Sequence, residues 1–446
     1  MTPPIKTALL FLSIAAAVPL LASPLLADDT SATPDASTLD LVGPNGIPSA
    51  DDAPATDAPA SNAPADNAPA SNIPASPDSA ASDNPVLAPC LTAVDQQQAD
   101  TAIAACGKIL DSSKLSDNDR AKVLTARGFS YGAKGDIDRA YADLDGAVKL
   151  MPKNAKTYVN RGNAAGARGD NDGSIADFSR AIALDPTLAM AYFDRALALD
   201  ERGAHATAIT DLDKAIQLQP DFAQAWRERG VAKIGAEQYD AGLSDLNKAI
   251  QLDPNDPLAY DGRGNAYIGD QQYEKAIADF SQAIKLAPDF ARAYNNRAAA
   301  YGLKGDLKRA ITDFRQANKL NPQDPNMLDS LCFYLSLTGK ADEAMTYCDQ
   351  AVTLAPNAAF VYDSRAYAQL RLSHFPAAVA DWTKALTLTP NRADLRFSRG
   401  YAEERQGDTA NATLDYQAAR AIDPDIDKEM QRNGIVPGSK NISPKW

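Results

Sequence analysis

Apolar and polar positions follow a helical rhythm along most of this chain, and the rhythm restarts at fixed intervals. Residues 257–290 show it most plainly. Tyr260, Gly264 and Tyr267 fall at i, i+4 and i+7, one stripe of a helix. Asp270-Gln271-Gln272 interrupts that stripe, a second follows at Ala276, Phe280 and Ala283, and Pro288 closes the block. Small residues (Gly264, Ala276, Ala283) mark where two helices approach closely, and Tyr260, Tyr267 and Phe280 fill the space between them. The pattern predicts a helix–turn–helix hairpin that cannot bury both faces alone and therefore needs neighbours.

The neighbours are in the sequence. Prolines recur at 152, 186, 220, 254, 288, 322, 356, 390 and 424, each 34 residues from the last, so nine units run from Ala121 to Ile426 without insertion or deletion. They start at Ala121, Ala155, Ala189, Ala223, Pro257, Ala291, Pro325, Ala359 and Ala393; each is named below by its first residue, and positions are counted from it. Gly-Asp punctuates the turn in several, as at Gly135-Asp136 and Gly305-Asp306. Glycine tolerates the left-handed helix end there, and aspartate suits the start of the next helix. A helix–turn–helix repeat of this length with small–aromatic patterning and a closing proline resembles the tetratricopeptide repeat (TPR) family. The resemblance implies an all-α fold, a right-handed superhelical solenoid of stacked hairpins. It also implies capture of a protein or peptide in the concave groove, without catalysis.

In the repeat frame Cys332 is position 8 and Cys348 position 24. Antiparallel helices that turn near position 16 bring such positions side by side. Cys90 and Cys106 have the same separation, and ADTAIAACGKIL (99–110) reads as a second helix, so 87–120 is taken as a degenerate first repeat. We expect disulfides Cys90–Cys106 and Cys332–Cys348, each contributing on the order of 3 kcal/mol. The competing reading is four buried thiols acting as small apolar residues. There is no Cys-x-x-Cys, and the two histidines, His205 and His374, fall in separate turns. No metal or cofactor site is therefore expected.

The ends of the chain differ from the middle. Met1–Ala27 has Lys6 followed by an apolar run broken by Pro19 and Pro24, and reads as a secretory signal peptide cleaved near Ala27; an uncleaved anchor is the alternative. Residues 28–86 are a low-complexity Ala/Pro/Ser/Asn/Asp stretch without aromatics, expected to be a disordered linker. Residues 427–446 are expected to be a short capping helix and tail. An exported chain and disulfides both fit a periplasmic or secreted protein. The net charge is −14, and ten of the acids lie in 28–86, where no basic residue offsets them. The repeats are therefore only mildly acidic, and nothing points to nucleic acid. No later run is long and apolar enough to span a membrane.

One charged pair recurs. Position 7 is Arg127, Arg161, Arg195, Arg229, Arg263, Arg297, Arg365 and Arg399; position 23 is Asp143, Asp177, Asp211, Asp245, Asp279, Asp313, Asp381 and Asp415. In the Pro325 repeat both change together, to Leu331 and Tyr347. The joint loss predicts contact, within a repeat or between neighbours, in a fixed fork geometry.

The candidate partner-binding groove is a separate stripe of the first helix, positions 2, 5, 9 and 12; the resemblance implies that this line, with position 6, forms the groove. Its middle is polar: Arg227, Asp261, Asn265, Arg292, Asn295, Asn296 and Asp329. The later repeats add Phe333, Phe360, Tyr367, Phe397 and Tyr401. Asparagine amides can hold an extended peptide backbone, and aromatics supply contact area; packing between adjacent first helices is the other use for these rings. A two-carboxylate clamp of the kind some family members carry is not expected, because Asp261 and Asn265 stand where Lys and Asn would precede Asn296. The sequence holds no phosphate loop or nucleophile elbow. The expected function is a non-enzymatic scaffold of the cell envelope that binds a partner protein or extended peptide. A peptidoglycan- or glycan-associated protein is the alternative.

Overall fold

A computed structural model describes residues 84–112 and 114–439. The signal-peptide reading, the linker up to residue 83 and the tail from 440 lie outside the described residues. Within them all regular structure is helical: a short 3-10 turn, Pro85–Leu87, and 21 α-helices. None is long and apolar enough to cross a membrane. The described chain forms two compact units. One holds 84–186 with Asp194–Thr207; the other holds Thr187–Phe193 with 208–439.

Each regular repeat is one antiparallel hairpin. In the Pro257 repeat the helices are Pro257–Gly269 and Tyr273–Leu286. The ends follow from local chemistry. Asp256 and Asp324 cap first helices that begin with proline, each carboxylate accepting a backbone N–H two residues on. Asp136, Asp170, Asp306 and Asp408 cap second helices in the same way, three residues on. Position 15, between the helices, is left-handed in every hairpin. Glycine fills it at 135, 169, 203, 305, 339 and 407; Gln97, Glu237, Gln271 and Ser373 adopt it with φ of 55–63°. Asp-containing turns such as Asp270-Gln271-Gln272 therefore have the same shape as Gly-Asp turns, at a cost that only glycine avoids.

Position 8 of the first helix faces position 24 of the second. A Cβ on Gly264 would lie 2.6 Å from the Phe280 ring, and one on Gly162 would lie 2.7 Å from Phe178. The small residue admits the large one, and both are buried. In the Pro325 repeat a covalent bond replaces this fit: Cys332 and Cys348, fully buried, are joined with Cα atoms 5.1 Å apart. The irregular first hairpin, Ala88–Asp95 with Ala99–Ser112, has the equivalent Cys90–Cys106 bond. Leu87, Ala102, Val123 and Ala126 surround that disulfide in one small core. A larger apolar cluster runs from Ile268 to Ile435.

At the C-terminal end Ile426–Arg432 forms a short helix with Ile426 and Met430 buried. Thr413 and Arg420, which stand where earlier repeats mostly carry aliphatics, are exposed.

Candidate functional site

The arginine ladder is structural, and its pairs of positions 7 and 23 form within a repeat, with a further bond to the preceding repeat that the sequence reading does not include. Seven arginines of position 7 donate through Nε and one terminal nitrogen to the position 23 aspartate of their own repeat, at 2.6–3.0 Å. The remaining terminal nitrogen of most reaches back to position 25 of the preceding repeat: Arg161 to Asp145, Arg195 to Ser179, Arg229 to Asp213, Arg263 to Asn247, Arg297 to Ser281, Arg365 to Asp349 and Arg399 to Thr383. The guanidinium groups of Arg161, Arg229, Arg263, Arg297, Arg365 and Arg399 thus each rivet two second helices together, and the bond to Asp279 raises the pKa of Arg263 further. Position 25 before the Pro325 repeat is Arg315, which would repel an arginine at position 7. Leu331 stands there instead, fully buried, and Arg315 pairs with Glu343. Arg315 is the signal in the sequence that could have revealed this third contact.

The first-helix stripe lies largely inside. Arg227, Asp261, Asn295, Asn296 and Asp329 are each less than a tenth exposed, while Asn265 and Arg292 are half-buried. Position 5 points into the seam where consecutive first helices meet, and helical spacing alone does not reveal how narrow that seam is. Two networks cross it. Arg227 donates to Glu228 at 2.6 and 2.8 Å and to Asp256, the cap of the next repeat, at 2.5 Å. Asp261, 1% exposed, accepts from Asn296 Nδ2 at 2.9 Å, Arg292 Nε at 3.1 Å and Asn265 Nδ2 at 3.4 Å. In the other unit Asn163 donates to Asp194 at 3.3 Å, and burial pushes that carboxyl up to about 7.

Further along, the seam closes. The first helices of the Pro325 and Ala359 repeats pack more tightly than those of Ala223 and Pro257 or of Pro257 and Ala291. The Phe333 and Tyr367 rings lie 5.7 Å apart across it. Tyr367 is buried, which pushes its phenol up to about 12, and its hydroxyl has no partner. Asp363 accepts from Trp382 Nε1 at 2.7 Å; burial and Asp394 raise its carboxyl to about 6. Burial holds the Asp329 carboxyl well above the ordinary carboxylate range; a side-chain hydrogen bond with Ser364 opposes this and Asp363 adds repulsion. Phe360 and Phe333 remain half-buried.

The last two aromatics expected in the groove form no open surface. Phe397 is fully buried with its ring 4.8 Å from that of Tyr416. Tyr401 is fully buried and donates its hydroxyl to the Ser439 carbonyl at 2.9 Å, while the Gly438 N–H donates to Glu404 at 2.7 Å. The chain beyond the last helix folds back over this end of the stripe and covers it. Among the described residues no cluster of His, Cys, Asp and Glu is arranged to hold a metal ion.

Family models described as tetratricopeptide repeat match residues 125–189, 159–221, 193–257 and 364–425, and, in a second such model, 291–324. A model described as TPR repeat matches 264–305. Together they span more than half of the sequence. The chain belongs to the tetratricopeptide repeat family. None of these matches extends over 325–363, the stretch that holds Leu331, Tyr347 and a disulfide in place of the usual packing pair. Among solved structures the APC/C hetero-tetramer Cut9–Hcn1 is similar at 14% identity with a TM-score of 0.50, over 75% of this chain and 80% of that one. A tetratricopeptide repeat protein from Parabacteroides merdae is similar at 18% identity, TM-score 0.47, over 56% of this chain and 99% of that one. YrrB, described as a TPR protein with an unusual peptide-binding site, is similar at 20% identity, TM-score 0.34, over 42% and 95%. The first of these supports the fold and nothing further. No curated protein matches the chain in sequence.

Proposed function

We propose that this tetratricopeptide repeat protein is a non-enzymatic scaffold of the cell envelope that holds an extended segment of a partner protein along its first helices. The observation that carries the reading is the polar stripe Asp261, Asn265, Arg292, Asn295, Asn296 and Asp329. It runs through three consecutive repeats at positions where apolar side chains would seal the seam at lower cost. Amide and carboxylate groups at regular spacing suit a peptide backbone, whose own donors and acceptors recur regularly. The two disulfides support an oxidising compartment.

The test is a photo-crosslinking residue at half-buried Asn265, with exposed Gln251 on a second helix as the control site. One dominant envelope protein captured at the first and absent at the second is the expected result. Identical adducts at both sites, or no protein adduct from a folded and exported array, would overturn the reading.

A further inference from the structure

The turn that follows the last helix is held by its main chain, as a bound peptide is. The chain leaves helix Ile426–Arg432 through Gly434, whose φ is +77°. It then makes a tight turn, Val436-Pro437-Gly438-Ser439, closed by the Ser439 N–H on the Val436 carbonyl at 3.0 Å. Proline and a left-handed glycine, Gly438 at φ +78°, stand at the two central positions, as a type II turn requires. The turn sits on Tyr401 and Glu404, positions 9 and 12 of the last first helix and therefore on the groove line. The Ser439 carbonyl accepts from the Tyr401 hydroxyl, and the Gly438 N–H donates to Glu404 Oε1.

Both receiving groups are set by the array itself. The Tyr401 oxygen accepts from Arg405 Nη1 at 3.2 Å, which leaves its own proton for a carbonyl. Arg405 in turn lies over the Phe375 ring, 4.8 Å from its centroid. Glu404 Oε2 accepts from the Tyr416 hydroxyl at 2.8 Å, which leaves Oε1 for an N–H. One donor and one acceptor, about a helical turn apart and each oriented by another side chain, form a preorganised site for a peptide backbone. The turn is lightly seated on it. Ile435 is 3% exposed, but Val436, Pro437 and Ser439 are half-buried and Gly438 is exposed. Helix Ile426–Arg432 packs on both helices of the last hairpin, so this end of the array has a cap apart from the turn.

We propose that residues 434–439 are a resident ligand of the groove, a strap that fills its last site until the partner segment lying along the first helices displaces it. This rests on the groove reading and adds its regulation. The displacing segment presents what the strap presents: an aliphatic side chain two residues before a Pro-Gly turn, with a carbonyl for Tyr401 and an N–H for Glu404. Tethering gives the strap an effective concentration on the order of millimolar, so a free segment meets a strong competitor in the unaltered chain.

The probe is a fluorescein-labelled peptide with the sequence of residues 433–439, NGIVPGS. Its anisotropy is read against the full chain, unaltered and with Ile435→Asp, which unseats the strap and leaves the receiving helix intact. The peptide should bind the Ile435→Asp chain at least tenfold tighter, and adding Tyr401→Phe should remove that gain. Hydrogen exchange of the same chains should show 434–439 losing protection in Ile435→Asp while Ala393–Gln406 is unchanged. Equal binding to both chains, absence of binding included, would overturn the proposal and make the turn part of the cap, as would faster exchange of Ala393–Gln406 whenever 434–439 opens. Crosslinking from Asn265 separates the two readings. The partner adduct should be several-fold stronger from the Ile435→Asp chain. An adduct equally strong from both chains removes the strap and leaves the groove reading standing; no adduct from either removes both. Should Ile435→Asp fail to fold, Ile435→Ala replaces it, and exchange in the unaltered chain still decides: 434–439 should open at least a hundredfold more often than Ala393–Gln406, and matching rates would overturn the proposal.

Discussion

The rivet at Arg263 can be taken apart with a pair of side chains that the protein itself uses elsewhere. Arg263 bonds Asp279 twice at 2.7 Å and Asn247 once at 2.8 Å; the two charged side chains are 20% and 9% exposed. Arg263→Leu leaves Asp279 nearly buried and without its cation. Removing one partner of a fully buried pair costs about 3–5 kcal/mol. Water reaches a fifth of this arginine, so a loss of about 2–3 kcal/mol is expected here. Asp279→Tyr alone strands the arginine, but Asn247 and solvent still serve it, and the loss should be about 1–2 kcal/mol. The double variant installs the combination found at Leu331 and Tyr347, apolar against apolar, and should lose no more than about 1 kcal/mol. The double variant should thus be more stable than Arg263→Leu alone, with a coupling of at least about 2 kcal/mol. Urea denaturation followed by circular dichroism gives the energies, and hydrogen exchange over Tyr273–Leu286 shows whether the loss is local. If the two single losses simply add, the account of Leu331 and Tyr347 as one exchanged unit is wrong.

Three further outcomes are expected. Gln271 holds φ of 59° at a position that six other repeats give to glycine, so Gln271→Gly should stabilise by up to about 1 kcal/mol, and a lower urea midpoint would contradict the assignment of backbone strain there. Gly264→Ala drives a methyl into the Phe280 ring and should cost about 1–3 kcal/mol; an unchanged melting temperature would show that the hairpin yields freely at this point. Burial, with repulsion from Asp415, lifts the Glu403 carboxyl from 4.5 to about 7. A carboxyl raised in the folded state gives a contribution that is complete below its ordinary value and is lost as pH climbs through about 7. The melting temperature should therefore fall between pH 5 and pH 8, and Glu403→Gln should flatten that fall; parallel pH profiles for the two proteins would exclude Glu403 as a source.

The repeat frame and both cysteine pairings were readable because they depend on one-dimensional spacing. A position on a helix of known register determines which side chain it meets across its own turn. That arithmetic led from Cys332 to Cys348; the joint change to Leu331 and Tyr347 linked position 7 to position 23, without saying whether the contact lies within a repeat or between neighbours. It stops at the border between repeats. The third bond of each rivet depends on the offset of one second helix against the next, and was visible only as the oddity of Arg315 before Leu331. The groove residues show the same limit. Their stripe was identifiable, but the distance between neighbouring first helices was not, and that distance decides whether Asp329 and Tyr367 meet water or each other. The burial of Tyr401 was less accessible still, because the segment that covers it lies 38 residues further on and belongs to no repeat.

The rivet also bears on how such an array can change length. A block of 34 residues carries an arginine that reaches back and, at position 25, an acceptor for the arginine that follows. A copied block would therefore arrive with both halves of its joint, and could be inserted or removed at most borders without redesigning a neighbour. The border at Arg315 and Leu331 breaks this interchangeability. A copy of the Ala291 repeat placed before any other repeat would set Arg315 against an arginine, and a Pro325 repeat placed elsewhere would leave an acceptor unmet. These two repeats can be inherited only as a pair, fixed in order, while the others are free to multiply around them.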